Sequence, residues 1–217
     1  MVVNWEKINA KKNFRQGRIM FPTSHDITPE VKEPCREFLI HMLESGNEVL
    51  LVSKPHLEVM AYLWKSDTIW KAMRSCKLVF RFSIGCHSDE IRQYWEPGAP
   101  SIAERIMCIH YIREHDGKVG VSSEPLLEPW GVDAMAAEIL PIINDTLWLG
   151  PLNQIGQRVR CVTPQDYDEV AKLKEWQTES RVRVIYDRFK DNSQVRWKDG
   201  YKRLLGLPLA EIEGEDR

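Results

Sequence analysis

Apolar and polar positions alternate most regularly from Lys77 onward. Leu78, Phe80, Phe82 and Ile84 fall on one side, with Val79, Arg81 and Ser83 on the other. A period of two marks a β-strand, here with an apolar outer face and an unusually polar inner one. Pro97, Gly98 and Pro100 then hold the chain in a turn-rich loop. Ser101 and Glu104 form a capping box that opens a helix running to about Arg113.

The same strand-then-helix pattern repeats on both sides of this unit. Upstream, a short strand from Arg18 runs into a loop through Asp26. A helix of about Pro29 to Glu44 carries the stripe Val31, Phe38, Leu39, Met42 and Leu43 and ends at Gly46-Asn47. The continuous apolar run from Glu48 to Ser53 fits a parallel strand covered on both faces. A helix of about His56 to Lys65 and a short turn with Trp70 follow. Downstream, Asp116-Gly117 turns into a strand at Lys118, a helix spans about Asp133 to Ile143, and a last strand starts at Asp145. This order predicts an α/β fold of about five parallel strands with right-handed crossovers. Beyond Asn153 the pattern becomes helical, over Pro164–Thr178, Arg181–Phe189 and Asp199–Leu205. The expected organisation is a lead-in over 1–16, the sheet domain over 17–160, and a helical C-terminal extension over 161–217 whose EIEGEDR end frays.

Composition narrows the function classes. At 217 residues, with 43% hydrophobic and 29% charged residues, the chain suits one globular domain. A net charge of −2 makes no overall case for nucleic acid or a membrane surface. No apolar run approaches the ~20 residues of a membrane span, and no signal-peptide core is visible, so a cytoplasmic protein is the default. The five cysteines (Cys35, Cys76, Cys86, Cys108, Cys161) are scattered and odd in number, which argues against a disulfide framework or a zinc site.

Ligands in parallel α/β folds sit at the carboxyl ends of strands. Here those ends carry Thr23, Ser24, His25 and Asp26; Ser53 and Lys54; Ser83; Ser122, Ser123 and Glu124; and Asn153. Together they predict one site for a polar, partly charged small molecule. Each residue also has an ordinary alternative. Lys54 is either a solvated strand-end lysine or a ligand-facing ammonium, Asp26 either a loop cap or a ligand contact, and His25 either a structural hydrogen-bonding group or a catalytic one. Arg81 points inward and needs a carboxylate, for which Glu124 on the next strand is the candidate. Glu96 and Arg105 are expected to pair and fix the EPGAP loop to its helix. Trp95, Trp130 and Trp148 are pocket wall or core.

The runs FRFSIG, WEPGAPSIAERI and SSEP resemble the radical S-adenosylmethionine (radical SAM) superfamily in its spore-photoproduct-lyase-like branch, over roughly Gly17 to Asn153. The resemblance implies a partial (β/α) barrel and S-adenosylmethionine as cofactor. On this reading Lys54 and Ser83 hold its carboxylate, and Ser24, His25 and Asp26 occupy the position that contacts its amino group, departing from the Gly-Gly-Glu form common there. It also implies a [4Fe–4S] cluster that reduces the sulfonium, so that a deoxyadenosyl radical abstracts a substrate hydrogen. The C-x3-C-x2-C segment that binds this cluster is absent, and by element order the chain starts just before the family's second strand.

Three accounts are open: a misplaced start or a split gene with the cluster segment on a separate upstream polypeptide, a decayed relative that keeps a binding pocket, or a likeness of fold alone. The first makes the chain part of a radical SAM enzyme. The others make it a non-catalytic accessory or degenerate barrel protein that binds a small polar ligand or completes a partner's barrel. A nucleic-acid substrate, as in the lyase-like relatives, would draw on the basic runs Arg181–Lys190 and Arg196–Arg203.

Overall fold

The structure, a computed structural model, describes residues 3–211. The expected frayed end lies, from 212 on, outside the described residues. In chain order the elements are α1 (Trp5–Asn9), β1 (Arg18–Phe21), α2 (Lys32–Glu44), β2 (Glu48–Ser53), α3 (Leu57–Leu63), α4 (Asp67–Arg74), β3 (Leu78–Ser83), α5 (Asp89–Trp95) and α6 (Ile102–Glu114). Then follow β4 (Val119–Ser123), α7 (Val132–Ile139), β5 (Leu147–Leu149), α8 (Ile155–Arg158), α9 (Pro164–Trp176), α10 (Glu179–Phe189), β6 (Val195–Trp197) and α11 (Asp199–Leu205).

The strands form one six-stranded sheet in the order β1-β2-β3-β4-β5-β6. The pairs β1/β2, β2/β3, β4/β5 and β5/β6 are parallel. Between β3 and β4, Phe80 N donates to Lys118 O and Ile84 N to Ser122 O, an equal step on both chains that is also parallel. This is the expected α/β fold, an unclosed sheet of the partial-barrel kind. It has one strand more than the pattern foretold: β6 lies inside the C-terminal segment read as helical. Two short helices were also read as turn and loop, α4 and α5. Each starts at a serine whose side chain accepts a backbone N–H, Ser66 from Ile69 and Ser88 from Ile91.

Contacts gather the chain into two compact units. One takes the chain up to Ser83 with Ala103–Gly120 and Ile142–Asp145; the other takes Ile84–Ile102, Val121–Pro141 and the rest from Thr146.

In the first unit the two sheet faces differ as the alternation predicts except at Val79, which lies on the side of Arg81 and Ser83 but is fully buried. Val49, Leu51, Ser53, Leu78, Phe80 and Phe82 are fully buried, whereas Leu50, Val52, Arg81 and Ser83 stay half-exposed. Register puts Leu51 beside Phe80 and Val52 beside Arg81, so each row continues across the strands. The buried row packs against helices, with Phe21 stacked on Phe38 of α2 at 5.1 Å.

In the second unit, Gly85 lies where a Cβ would sit 2.5 Å from Pro125 O, so the loop after β3 can rest on the loop after β4 only as glycine. Leu127 N donates to Gly85 O at 2.6 Å and completes that seam. Among the described residues no helix is long and apolar enough to cross a membrane.

Candidate functional site

Within the first unit, the ends of β1 and β2 are stitched together by Asp26. Its Oδ1 accepts from Lys54 N at 2.7 Å and from Ser53 Oγ at 3.4 Å, while Oδ2 meets Lys54 Nζ at 3.2 Å. Ser53 Oγ in turn accepts from Ile27 N at 2.9 Å, so this serine is buried structure. The Asp26 and Lys54 side chains keep 35% and 27% of their surface exposed, so the ion pair faces solvent on one side. Ser53 pairs with Phe82 across β2 and β3, which brings Lys54 level with Ser83. Ser83 is half-buried, and among the described residues its hydroxyl has no hydrogen-bond partner. Its carbonyl accepts from Arg105 Nη1 at 2.9 Å.

Arg105 is fully buried and acts as scaffold at this strand end. Its neighbour Glu104 accepts from Leu57 N at 3.1 Å, tying α6 to the start of α3. The pairing of Arg105 with Glu96 remains an expectation.

Ser24 and Thr23 are exposed. His25 reaches α2, its Nε2 lying 3.8 Å from Cys35 Sγ. There it lines an apolar hollow of about 270 Å³ with Phe21, Val31 and Phe38.

Arg81 takes a carboxylate from within its own unit, and its pairing with Glu124 remains an expectation. It pairs with Asp145 at 3.5 Å, and Asp145 also takes Lys118 at 3.3 Å. The reason is register. Phe80 bonds Lys118 and Ile84 bonds Ser122, so Arg81 sits level with the amino-terminal start of β4. Its carboxylate therefore comes from the residue entering β5, and the pair lies below the strand ends.

The second unit has its own polar group at the ends of β4, β5 and β6. Glu124 meets Lys198 Nζ at 3.4 Å and accepts from Asn153 Nδ2 at 3.3 Å. Lys198 lies over the Trp148 ring at 5.1 Å, and a Cβ on Gly150 would come within 2.7 Å of the Lys198 Cβ. Ser123 is spoken for inside the fold: it is fully buried, donates to Ile84 O, and has Met135 Sδ at 3.4 Å. Ser122, on the opposite face, is 8% exposed. Trp148 is core, donating Nε1 to Thr146 Oγ1 at 2.8 Å, while Trp130 is half-buried against Trp176 with Lys172 Nζ 3.7 Å above it.

Sequence reasoning missed Lys198, because β6 was not read as a strand. It also missed three scaffold residues. Glu128, 9% exposed, accepts from His87 N at 2.9 Å and Ser88 N at 2.8 Å. Arg92 is held to Asp89 at 2.8 Å and donates to Ala99 O at 3.0 Å, while Asp89 accepts from Ile102 N at 3.1 Å. This ties the EPGAP loop to the start of α6.

No protein-family model matches the chain, and no curated protein does. Solved structures do match. The crystal structure of Streptococcus suis SuiB bound to S-adenosylmethionine aligns with a TM-score of 0.51 at 9% identity, over 82% of this chain and 39% of that one. A second crystal structure of S. suis SuiB aligns with a TM-score of 0.54 at 9% identity, over 94% of this chain and 54% of that one. The likeness is one of fold. The chain thus spans between 39% and 54% of the SuiB chains it matches.

None of the five cysteines is in a disulfide among the described residues: Cys35, Cys86 and Cys108 are buried, Cys161 half-buried and Cys76 exposed. Burial pushes the Cys35 thiol up to about 11 and the Cys108 thiol up to about 12, which keeps both protonated. Iron–sulfur clusters need gathered thiolates, and among the described residues no three metal-ligating side chains come together. This donor set does not fit a cluster.

Proposed function

We propose that the chain is a radical SAM-type barrel fragment that binds S-adenosylmethionine at the ends of β1, β2 and β3. The observation that carries this is the half-exposed Asp26–Lys54 pair beside the unpartnered Ser83 hydroxyl. An amino-acid end is a zwitterion. A carboxylate and an ammonium held 3.2 Å apart present the complementary charges at matching spacing. On this reading Asp26 receives the ammonium, Lys54 and Ser83 the carboxylate, and Ser24 adds a hydroxyl at the rim. The fold likeness to a SuiB structure bound to S-adenosylmethionine supports the choice of ligand. When bound, S-adenosylmethionine supplies an activated sulfonium, while the chain's own residues orient its amino-acid end.

The spore-photoproduct-lyase-like branch is the finer form of this reading. It rests on FRFSIG, WEPGAPSIAERI and SSEP, in which Gly85 and Pro125 pack on one another. A nucleic-acid substrate receives little support, since the basic C-terminal residues are neutralised in place. Arg181 pairs with Glu175, Arg183 with Glu179, Arg188 with Asp133 and Arg203 with Asp199.

The cysteine set favours a second reading beside the first: the chain is non-catalytic alone and works with a cluster-bearing partner polypeptide. Calorimetry with S-adenosylmethionine and its decarboxylated analogue tests the ligand assignment. The first should bind and the second at least about tenfold more weakly; absence of binding by the first, or equal affinity, overturns it. Anaerobic reconstitution with iron and sulfide should yield no stoichiometric cluster on this chain.

A further inference from the structure

The sheet order begins at β1, which among the described residues pairs only with β2. Along its other side runs a groove of about 500 Å³. Every residue from Ile19 to His25 lines it, including the strand residues Ile19, Met20 and Phe21, which point to alternate faces. A groove running edge-on along the strand meets residues of both faces. Phe21 from β1 with Phe38 and Met42 from α2 make its apolar floor, and Met20 is 49% exposed. The rim carries Lys11, Lys12 and Arg15, and among the described residues no carboxylate lines the groove. Lys12 already lies 4.6 Å over the Phe38 ring, but Lys11 and Arg15 are exposed.

A bare strand edge offers backbone donors and acceptors to another strand, and natural edges are usually blunted by charge or covered. Here β1 carries one charged residue, Arg18, at its start. An apolar floor suits alternate side chains of an added strand, and a cation-only rim suits an acidic one.

We propose that this groove docks a β-strand of an acidic partner polypeptide, added edge-on to β1 with its apolar residues on Phe21, Phe38 and Met42. The inference rests on the β1 edge and its rim. Its failure leaves the ligand assignment at Asp26 and Lys54 untouched.

The test uses the full chain and fluorescently labelled synthetic peptides of about ten residues, long enough to overlay a four-residue strand with margins. One alternates valine with glutamate. A second alternates valine with lysine. A third repeats the acidic sequence with alternate backbone nitrogens methylated, so that it cannot pair as a strand. The acidic peptide should bind, and the other two at least about tenfold more weakly. Amide exchange over Arg18–Phe21 should slow only with the acidic peptide. The double variant Lys11→Glu/Arg15→Glu, at exposed positions, should reverse the preference toward the lysine peptide. Equal binding of the methylated peptide, or indifference to charge, overturns the proposal. Competition by a single-stranded oligonucleotide overturns it in favour of a general polyanion surface. Concentration-dependent dimerisation abolished by the double variant overturns it in favour of a second copy of the chain.

Discussion

Replacing Lys54 by methionine separates ligand binding from folding more sharply than any other single change. In the free protein the Lys54–Asp26 contact spans 3.2 Å with both side chains partly exposed. Pairs of that kind contribute up to about 1 kcal/mol. Asp26 keeps its bonds from Lys54 N at 2.7 Å and from Ser53 Oγ at 3.4 Å, so the Asp26 carboxylate is not stranded. The melting temperature should therefore fall by no more than about 2–4 °C. Binding should suffer more. A hydrogen bond to a charged group contributes about 1.5–3 kcal/mol, reduced because ligand entry must loosen the existing pair. The net of about 1–2.5 kcal/mol corresponds to a roughly 5- to 70-fold weaker Kd. Calorimetry on the wild type and Lys54→Met, each with S-adenosylmethionine and its decarboxylated analogue, closes a cycle. The loss should vanish for the analogue, which has no carboxylate for Lys54 to hold. An unchanged Kd for S-adenosylmethionine, or an equal loss with both ligands, refutes the reasoning.

Three further outcomes follow from the geometry. Arg81→Leu should lower stability by about 1–2 kcal/mol in urea denaturation, because Lys118 still partners Asp145, while leaving ligand affinity unchanged; a changed affinity would place Arg81 at the ligand after all. Gly85→Ala puts a Cβ 2.5 Å from Pro125 O and should cost about 1–3 kcal/mol, whereas Gly98→Ala, with φ +83° and open space around it, should cost about 1 kcal/mol; equal urea midpoints would deny the seam. Asp166 accepts from Tyr94 OH, Thr163 N and Val162 N, which hold its carboxyl below the ordinary carboxylate value. A carboxyl depressed in the folded state stabilises above its unfolded value, and that contribution is lost as pH falls through the folded one. Urea midpoints should therefore fall more steeply below about pH 4 for the wild type than for Asp166→Asn, and parallel curves would contradict it.

What could be read from the sequence depended on how local each constraint is. The two faces of β3 were legible, because side-chain period depends only on the strand itself, and Arg81 and Ser83 lie on the half-exposed face as expected. The partner of Arg81 was not legible. That choice depends on the offset between β3 and β4, which puts Arg81 level with the start of β4 and within reach of Asp145. Strand β6 spans three residues, Val195–Trp197, bounded by charged and amide residues, too short to show a period. Missing it hid Lys198, whose place beside Glu124 comes from the pairing of β5 with β6. The short helices α4 and α5 had a visible sign in Ser66-Asp67 and Ser88-Asp89, each a cap followed by an acidic first turn.

The residues that carry the family resemblance and those proposed to hold the ligand are largely different. Gly85 and Pro125 pack loop on loop, Arg92 and Asp89 hold the EPGAP turn, and Glu104 and Arg105 brace the ends around β2 and β3. Most of these are buried backbone-to-side-chain constraints, which any ligand-bound or ligand-free form of the fold needs. Asp26 and Lys54 lie outside the quoted motifs, and within them Ser83, half-exposed at the end of β3, offers a hydroxyl with no partner among the described residues. The motif letters therefore argue for the scaffold, and the Asp26–Lys54 pair argues for the ligand. Gly85→Ala and Lys54→Met should accordingly dissociate: the first lowers stability while the folded fraction keeps its affinity, and the second keeps stability while affinity falls. If both properties moved together in either variant, scaffold and site could not be assigned separately, and the amino-acid end would lose its proposed seat.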